Sequence, residues 1–108
     1  MALNEMSPIE EALEAVKGGT YRATFELFVP GTTTPLPMGG VNARFVIDGY
    51  ETITTANGLT VATGKVELAL TPEQTSKAPA PQLHWYLELT NGIETVFPAR
   101  GPFIFTEP

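Results

Sequence analysis

The fold is decided by residues 83–89, LHWYLEL, because apolar and polar side chains alternate strictly along them. The odd-numbered residues are three leucines and a tryptophan, whereas the even-numbered residues are histidine, tyrosine and glutamate. Such alternation is typical of a β-strand with one buried face and one solvent face. We therefore expect Trp85 in the core of a sheet and His84 and Tyr86 on its outer face.

The same alternation predicts further strands on both sides of this stretch. They cover residues 21–29, 41–47, 50–55, 59–62, 65–70, 93–98 and 103–105. Between them lie Asp-Gly and Asn-Gly pairs at 48–49, 57–58 and 91–92, which are typical of tight turns between antiparallel strands. Seven or eight short strands spaced by roughly 8–12 residues predict a mainly β fold, a single antiparallel β-sandwich.

The segment before the first strand is predicted to form a short helix over residues 8–17. Ser7 and Pro8 fit the start of a helix. Ile9, Leu13 and Val16 then recur at helical spacing, and a Gly-Gly pair follows. The chain is thus divided into an N-terminal helical segment, residues 1–19, and a β-sandwich domain, residues 20–108. The stretch TPEQ at 71–74 predicts one further helical turn.

Composition excludes several classes of function. Six basic residues against twelve acidic ones give a net charge of −6, which argues against binding to a nucleic-acid backbone or to an anionic membrane. The absence of cysteine excludes disulfides and thiolate metal sites. The first residues lack the pattern of a secretory signal, so we expect a protein made in the cytoplasm and not exported by that route.

The sequence offers little for catalysis. Its one histidine, His84, is predicted on a sheet surface, and its two serines have other predicted roles, since Ser7 caps a helix and Ser76 lies in a turn. Glu88 and Glu94 flank the turn at 91–92 and can form a carboxylate pair across a hairpin, but two exposed charges are the simpler interpretation. We expect no enzyme, no catalytic residue, no cofactor and no metal site.

Four motifs carry a resemblance to small β-sandwich proteins of tailed bacteriophages. In order, they are GGT at 18–20, PLPMGGV at 35–41, GKVELALTPEQT at 64–75, and LHWYLEL at 83–89 followed by Asn-Gly. The chain is similar to the immunoglobulin-like N-terminal module of upper-baseplate proteins and to related capsid accessory proteins. This resemblance implies an immunoglobulin-like sandwich that acts in the virion without catalysis, as a capsid-decoration (cement) or fibre-anchoring protein in many copies. A tail, baseplate or neck protein is the alternative.

The resemblance also implies partners, namely other virion structural proteins and foremost the major capsid protein, in a symmetric assembly. The candidate docking residues are Ile9, Leu13 and Val16 on the predicted helix, with Leu36 and Met38 in the loop at 30–40. An exposed apolar residue in a loop is suited to a partner surface. The alternative for Leu36 and Met38 is that they fold back and cover the open end of the sandwich.

A carbohydrate-binding module for attachment to a host surface is a further hypothesis. It requires aromatic side chains to converge on one face, and the candidates are Tyr21, Tyr50, Trp85 and Tyr86. Periodicity directs Tyr21 and Trp85 inward. That leaves Tyr86, with Phe28, as a thin outward platform for a sugar.

Overall fold

Two β-sheets pack face to face around one apolar core in the computed structural model, which describes Met6 and residues 8–108. The elements are β1 (Ile9–Glu10), β2 (Leu13–Val16), β3 (Tyr21–Glu26), β4 (Asn42–Asp48), β5 (Glu51–Ile53), β6 (Leu59–Ala62), β7 (Lys65–Leu70), α1 (Pro72–Ser76), β8 (Gln82–Thr90) and β9 (Thr95–Thr106). The prediction of a mainly β protein is confirmed, and the two layers are those of a β-sandwich.

The two sheets differ in width. The larger sheet has the order β1-β9-β8-β4-β5, and β2 also pairs with β9 on the side of β1. The smaller sheet has the order β3-β7-β6. Neighbouring strands are antiparallel, except that β1 and β2 run parallel to β9. Six strands thus occupy five positions in one layer, against three positions in the other.

An aromatic cluster joins the two layers at the centre of the core. Trp85 on β8 is fully buried and stacks on Phe45 of β4, with ring centroids 5.2 Å apart. Phe25 of the smaller sheet contacts the same indole at 5.3 Å. The expectation that the apolar parity of residues 83–89 points inward is confirmed, and burying such large rings contributes much of the core's stability.

The predicted helix over residues 8–17 is wrong, because this segment forms β1 and β2 along β9. Leu13 and Ala15 are buried while Glu14 and Val16 are exposed, a period of two. A helix of about ten residues is marginal by itself. Here the segment gains ladder hydrogen bonds and places Leu13 and Ala15 in the core. Ser7, the predicted N-cap, lies outside the described residues.

The prediction of two separate strands at residues 93–98 and 103–105 is also wrong, since one strand, β9, runs without interruption from Thr95 to Thr106. Leu87 of β8 pairs with Ala99 and Leu89 pairs with Val96, so β9 has one extra residue between these two pairs. Pro98 therefore lies at a β-bulge. Bulges and edges are where a strand accepts proline.

The helical turn predicted after Thr71 is confirmed as α1. The Thr71 side chain accepts a hydrogen bond from the Gln74 N–H, and the Gln74 side chain accepts one from the Thr71 N–H, at 3.2 and 2.8 Å. This reciprocal cap explains why a five-residue helix forms. No helix in the described part of the chain is long and apolar enough to cross a membrane.

We predict that Gly101→Ala destabilises the domain by about 1–3 kcal/mol or more, because a Cβ at Gly101 would lie 2.0 Å from the carbonyl oxygen of Glu11. The backbone between β1 and β2 would have to move. Gly39→Ala is the control, since a Cβ there meets no atom within 4 Å. Urea unfolding of both variants measures the difference, and equal stabilities would contradict the close approach.

Candidate docking site

The structure separates the five predicted docking residues. Ile9 on β1 is 61% exposed and Val16 on β2 is 48% exposed, whereas Leu13 between them is buried in the core. They do not form one stripe, because the stripe was derived from a helix that does not exist.

Leu36 and Met38 belong to the core rather than to the surface. Leu36 is fully buried and Met38 is 9% exposed. The Leu36 N–H donates to the Leu27 carbonyl at 3.0 Å, and the Leu36 carbonyl accepts from the Gly64 N–H at 2.8 Å. Of the two alternatives for these residues, the structure shows the second, in which the loop folds back over the end of the sandwich.

Ile9 lies in a groove between the two sheets, which we call the edge groove. It consists of two adjoining concavities that share Ile9, Glu26, Leu27 and Pro98. The other lining residues are Met6, Glu11, Thr24, Phe25, Phe28, Val29, Pro30, Gly31, Thr32 and Ala99. Its apolar lining includes two large exposed side chains, Ile9 and Phe28. Sequence reasoning predicted Ile9 as a docking residue but not the groove, which depends on how the two sheets are stacked.

Hydrogen bonds to Glu11 fix one wall of the edge groove. The Trp85 indole N–H donates to the Glu11 carbonyl at 3.0 Å, and the Glu11 N–H donates to the Arg100 carbonyl at 2.9 Å. The side chains of Arg100 and Glu10 form an ion pair at 3.3 Å on the outer side of the same strands. The wall is therefore tied to the centre of the core, so the groove is preformed.

The charged residues that line the edge groove are both acidic. They are Glu11 and Glu26, and no lysine or arginine is among its described lining residues. The pKa of Tyr21 on β3 is raised above its usual 10.0 by burial first and then by the Glu11 carboxylate. The groove thus combines an apolar lining with a negative potential.

A second exposed feature is an aromatic patch on the outer face of the larger sheet. Tyr86 and Phe97 meet edge to face with ring centroids 5.4 Å apart, and His84 and Arg100 complete a shallow concavity. The outward position of Tyr86 was expected, but its partner is Phe97. Phe28, the expected partner, lies in the edge groove. Phe97 lies between Val96 and Ala99, where the bulge in β9 interrupts the regular alternation of the strand.

Of the two carboxylates considered for catalysis, that of Glu88 has a structural partner. Glu88 forms an ion pair with Arg44 on the neighbouring strand, and this pair raises the pKa of the guanidinium. The N–H groups of Ile93 and Glu94 donate to the Asn91 side chain and build the turn. In the described part of the chain, no three acidic or histidine side chains group as metal ligands.

A solvent-open concavity of about 800 Å³ lies beside α1, and its lining is rich in polar groups that bond to one another. The Tyr50 hydroxyl donates to the Gln74 carbonyl at 2.5 Å, and the Gln74 amide donates to the Glu51 carboxylate at 3.2 Å. Glu73 and Lys77 pair at 2.7 Å along the helix. The two hydrogen bonds from Tyr50 and to Glu51 hold α1 against β5, which is a structural task.

The chain matches no protein-family model, and no curated protein is significantly similar to it.

We predict that Leu36→Ala lowers the free energy of unfolding by about 2–5 kcal/mol, because it leaves a cavity at a fully buried site. Ile9→Ala is the matched variant at an exposed site and is expected to change it by less than about 1 kcal/mol. Chemical denaturation of both proteins measures the difference. A loss of stability for Leu36→Ala as small as that for Ile9→Ala would contradict the burial of Leu36.

We predict that Tyr50→Phe lowers stability at neutral pH by about 0.5–1.5 kcal/mol, since it removes the hydrogen bond to Gln74. Burial first, and then Glu51, raises the pKa of Tyr50 above 10.0. The stability that this shift contributes is present below the unfolded pKa and is lost as pH rises through the folded pKa. The variant should therefore lose less stability above about pH 10 than the parent. Thermal unfolding at several pH values tests this, with Tyr86→Phe as control.

Proposed function

We propose that this protein is a non-enzymatic structural accessory protein of a bacteriophage virion, a capsid-decoration (cement) or fibre-anchoring protein that docks in many copies through the edge groove. The observation that carries the proposal is Ile9, a large apolar side chain 61% exposed on a preformed groove beside exposed Phe28. Exposed apolar surface next to a rigid wall is typical of protein interaction sites. The resemblance of the four sequence motifs supplies the virion context.

We further propose that the sandwich is of the immunoglobulin-like type. In that fold the strands named B, E and D form one sheet, and G, F, C and C′ lie in the other. The orders β3-β7-β6 and β9-β8-β4-β5 match these two series. The parallel first strands beside β9 occupy the edge next to G. The buried tryptophan lies on the F-like strand β8 here, rather than on the C-like strand.

A rigid block suits a protein that reinforces a shell. No buried side-chain nitrogen or oxygen lacks a hydrogen-bond partner in the described part of the chain, and the aromatic core spans both sheets. A close-packed domain of this kind can bind a partner without rearranging its interior. The partner favoured by the resemblance is the major capsid protein, in a symmetric array within the virion.

We predict that Ile9→Asp combined with Phe28→Asp lowers occupancy on particles at least about tenfold, because both charges would be buried in an apolar contact. Ile93→Asp is the control, since Ile93 is 92% exposed at a turn outside the groove. Particles assembled without the protein are incubated with each purified variant, and bound copies are counted by quantitative mass spectrometry. Equal occupancy for the double variant and the control would overturn docking through the groove.

The number of copies per particle also distinguishes a location on the capsid from one in the neck, tail or baseplate. Copies in proportion to the major shell subunit support capsid decoration, whereas a few copies support the alternative of a neck, tail or baseplate protein. Absence from particles would refute the virion proposal.

A second candidate function, glycan binding at a host surface, is favoured by the patch of Tyr86 and Phe97. Aromatic rings stack on sugars, and His84 and Arg100 supply hydrogen-bond donors beside them. A glycan array tests it with Tyr86→Ala as the paired variant, which must lose any signal that the parent gives.

A further inference from the structure

We propose that the edge groove accepts an extended segment of a partner protein as an added strand of the smaller sheet along β3, with apolar and polar residues in alternation and the polar ones basic beside Glu26 and Glu11. This inference rests on the proposed docking function and names the chemistry of the partner.

The unequal width of the two sheets leaves room for this strand. The larger sheet has five strand positions and the smaller one has three, so part of the larger sheet has no strand opposite it. The edge groove lies at that place, with β1 and β9 on one side and β3 on the other. One strand occupies about 4.8 Å of sheet width, so an added strand would extend the smaller layer over Ile9 and Pro98.

The backbone of β3 offers the hydrogen bonds that a strand needs. Within the described part of the chain, β3 pairs with β7 only. The Leu27 N–H donates to the Gly64 carbonyl at 2.8 Å, towards β7. Peptide groups alternate in direction along an antiparallel strand, so those of Arg22, Thr24 and Glu26 point to the open edge. Addition of a strand to such an edge is a common mode of peptide recognition.

The side chains around this edge define which strand fits. A strand beside β3 directs alternate residues into the groove, where Ile9, Phe28 and Pro98 favour apolar side chains. The remaining residues of the added strand lie on the outer face of the sheet, which also bears the exposed side chains of Arg22 and Glu26. Among the described residues neither Glu26 nor Arg22 forms an ion pair. Glu26 and Glu11 therefore favour lysine or arginine at their end of the added strand.

A second copy of this chain is the less suitable occupant. Pairing β3 with its own copy would place Arg22 opposite Glu26, which favours it electrostatically. However, β1 lies beside the open edge of β3 in each copy, since Ile9 lines the same groove as Thr24 and Glu26. The two β1 strands would then compete for the same space.

The test uses the full-length protein and two peptide libraries of nine residues. Both have random Val, Ile, Leu or Phe at odd positions. Two neighbouring even positions, in either half of the peptide, are lysine in one library and glutamate in the other, and the remaining even positions are threonine. We expect the protein at low salt to retain about tenfold more of the lysine library, as expected for two ion pairs. Hydrogen exchange should then slow at the amides of Arg22, Thr24 and Glu26.

Variants at one position separate a backbone contact from a side-chain contact. Thr24→Pro removes an N–H that points to the open edge and should abolish retention, while Thr24→Val keeps that N–H and should preserve it. Equal retention of both libraries, unaltered retention by Thr24→Pro, or a protein that sediments as a dimer through β3 would each overturn the inference. If Thr24→Pro still occupies particles while Ile9→Asp with Phe28→Asp does not, strand addition is refuted and docking stands.

Discussion

The hydrogen bond from the Trp85 indole to the Glu11 carbonyl is the contact on which the rest of the structure depends. Trp85 is fully buried, and a buried N–H without a partner costs about 1–3 kcal/mol. Its acceptor comes from the N-terminal segment, which can approach only because Gly101 has no Cβ in that space. The aromatic core thus determines where β1 and β2 lie against β9, and with them where the edge groove opens.

Local signals made much of the fold predictable from sequence. Residues 59–62 and 65–70 coincide with β6 and β7, because alternation and the flanking turns depend on near neighbours in the chain. The cap at Thr71 was predictable for the same reason, since both of its hydrogen bonds lie within four residues. The inward position of Trp85 followed from parity alone.

Long-range pairing explains what the sequence did not reveal. Ile9, Leu13 and Val16 fit a helical stripe equally well, and only the ladder with β9, about 90 residues away, selects a strand. The edge groove has no sequence signal, because Ile9, Phe28 and Pro98 meet through sheet stacking. Leu36 resembled an exposed loop residue until its two backbone hydrogen bonds placed it in the core.

An open strand edge is a hazard, because any extended chain can pair with it. On β3 we expect charge to limit this hazard. The exposed side chains of Arg22 and Glu26 would repel a strand that places a like charge beside them, and Glu11 adds a negative charge to the groove. Main-chain hydrogen bonds would supply affinity to almost any partner, whereas these charges and the apolar pocket of Ile9 and Phe28 discriminate among partners. Under the proposed docking, selectivity would therefore depend on repulsion as much as on attraction.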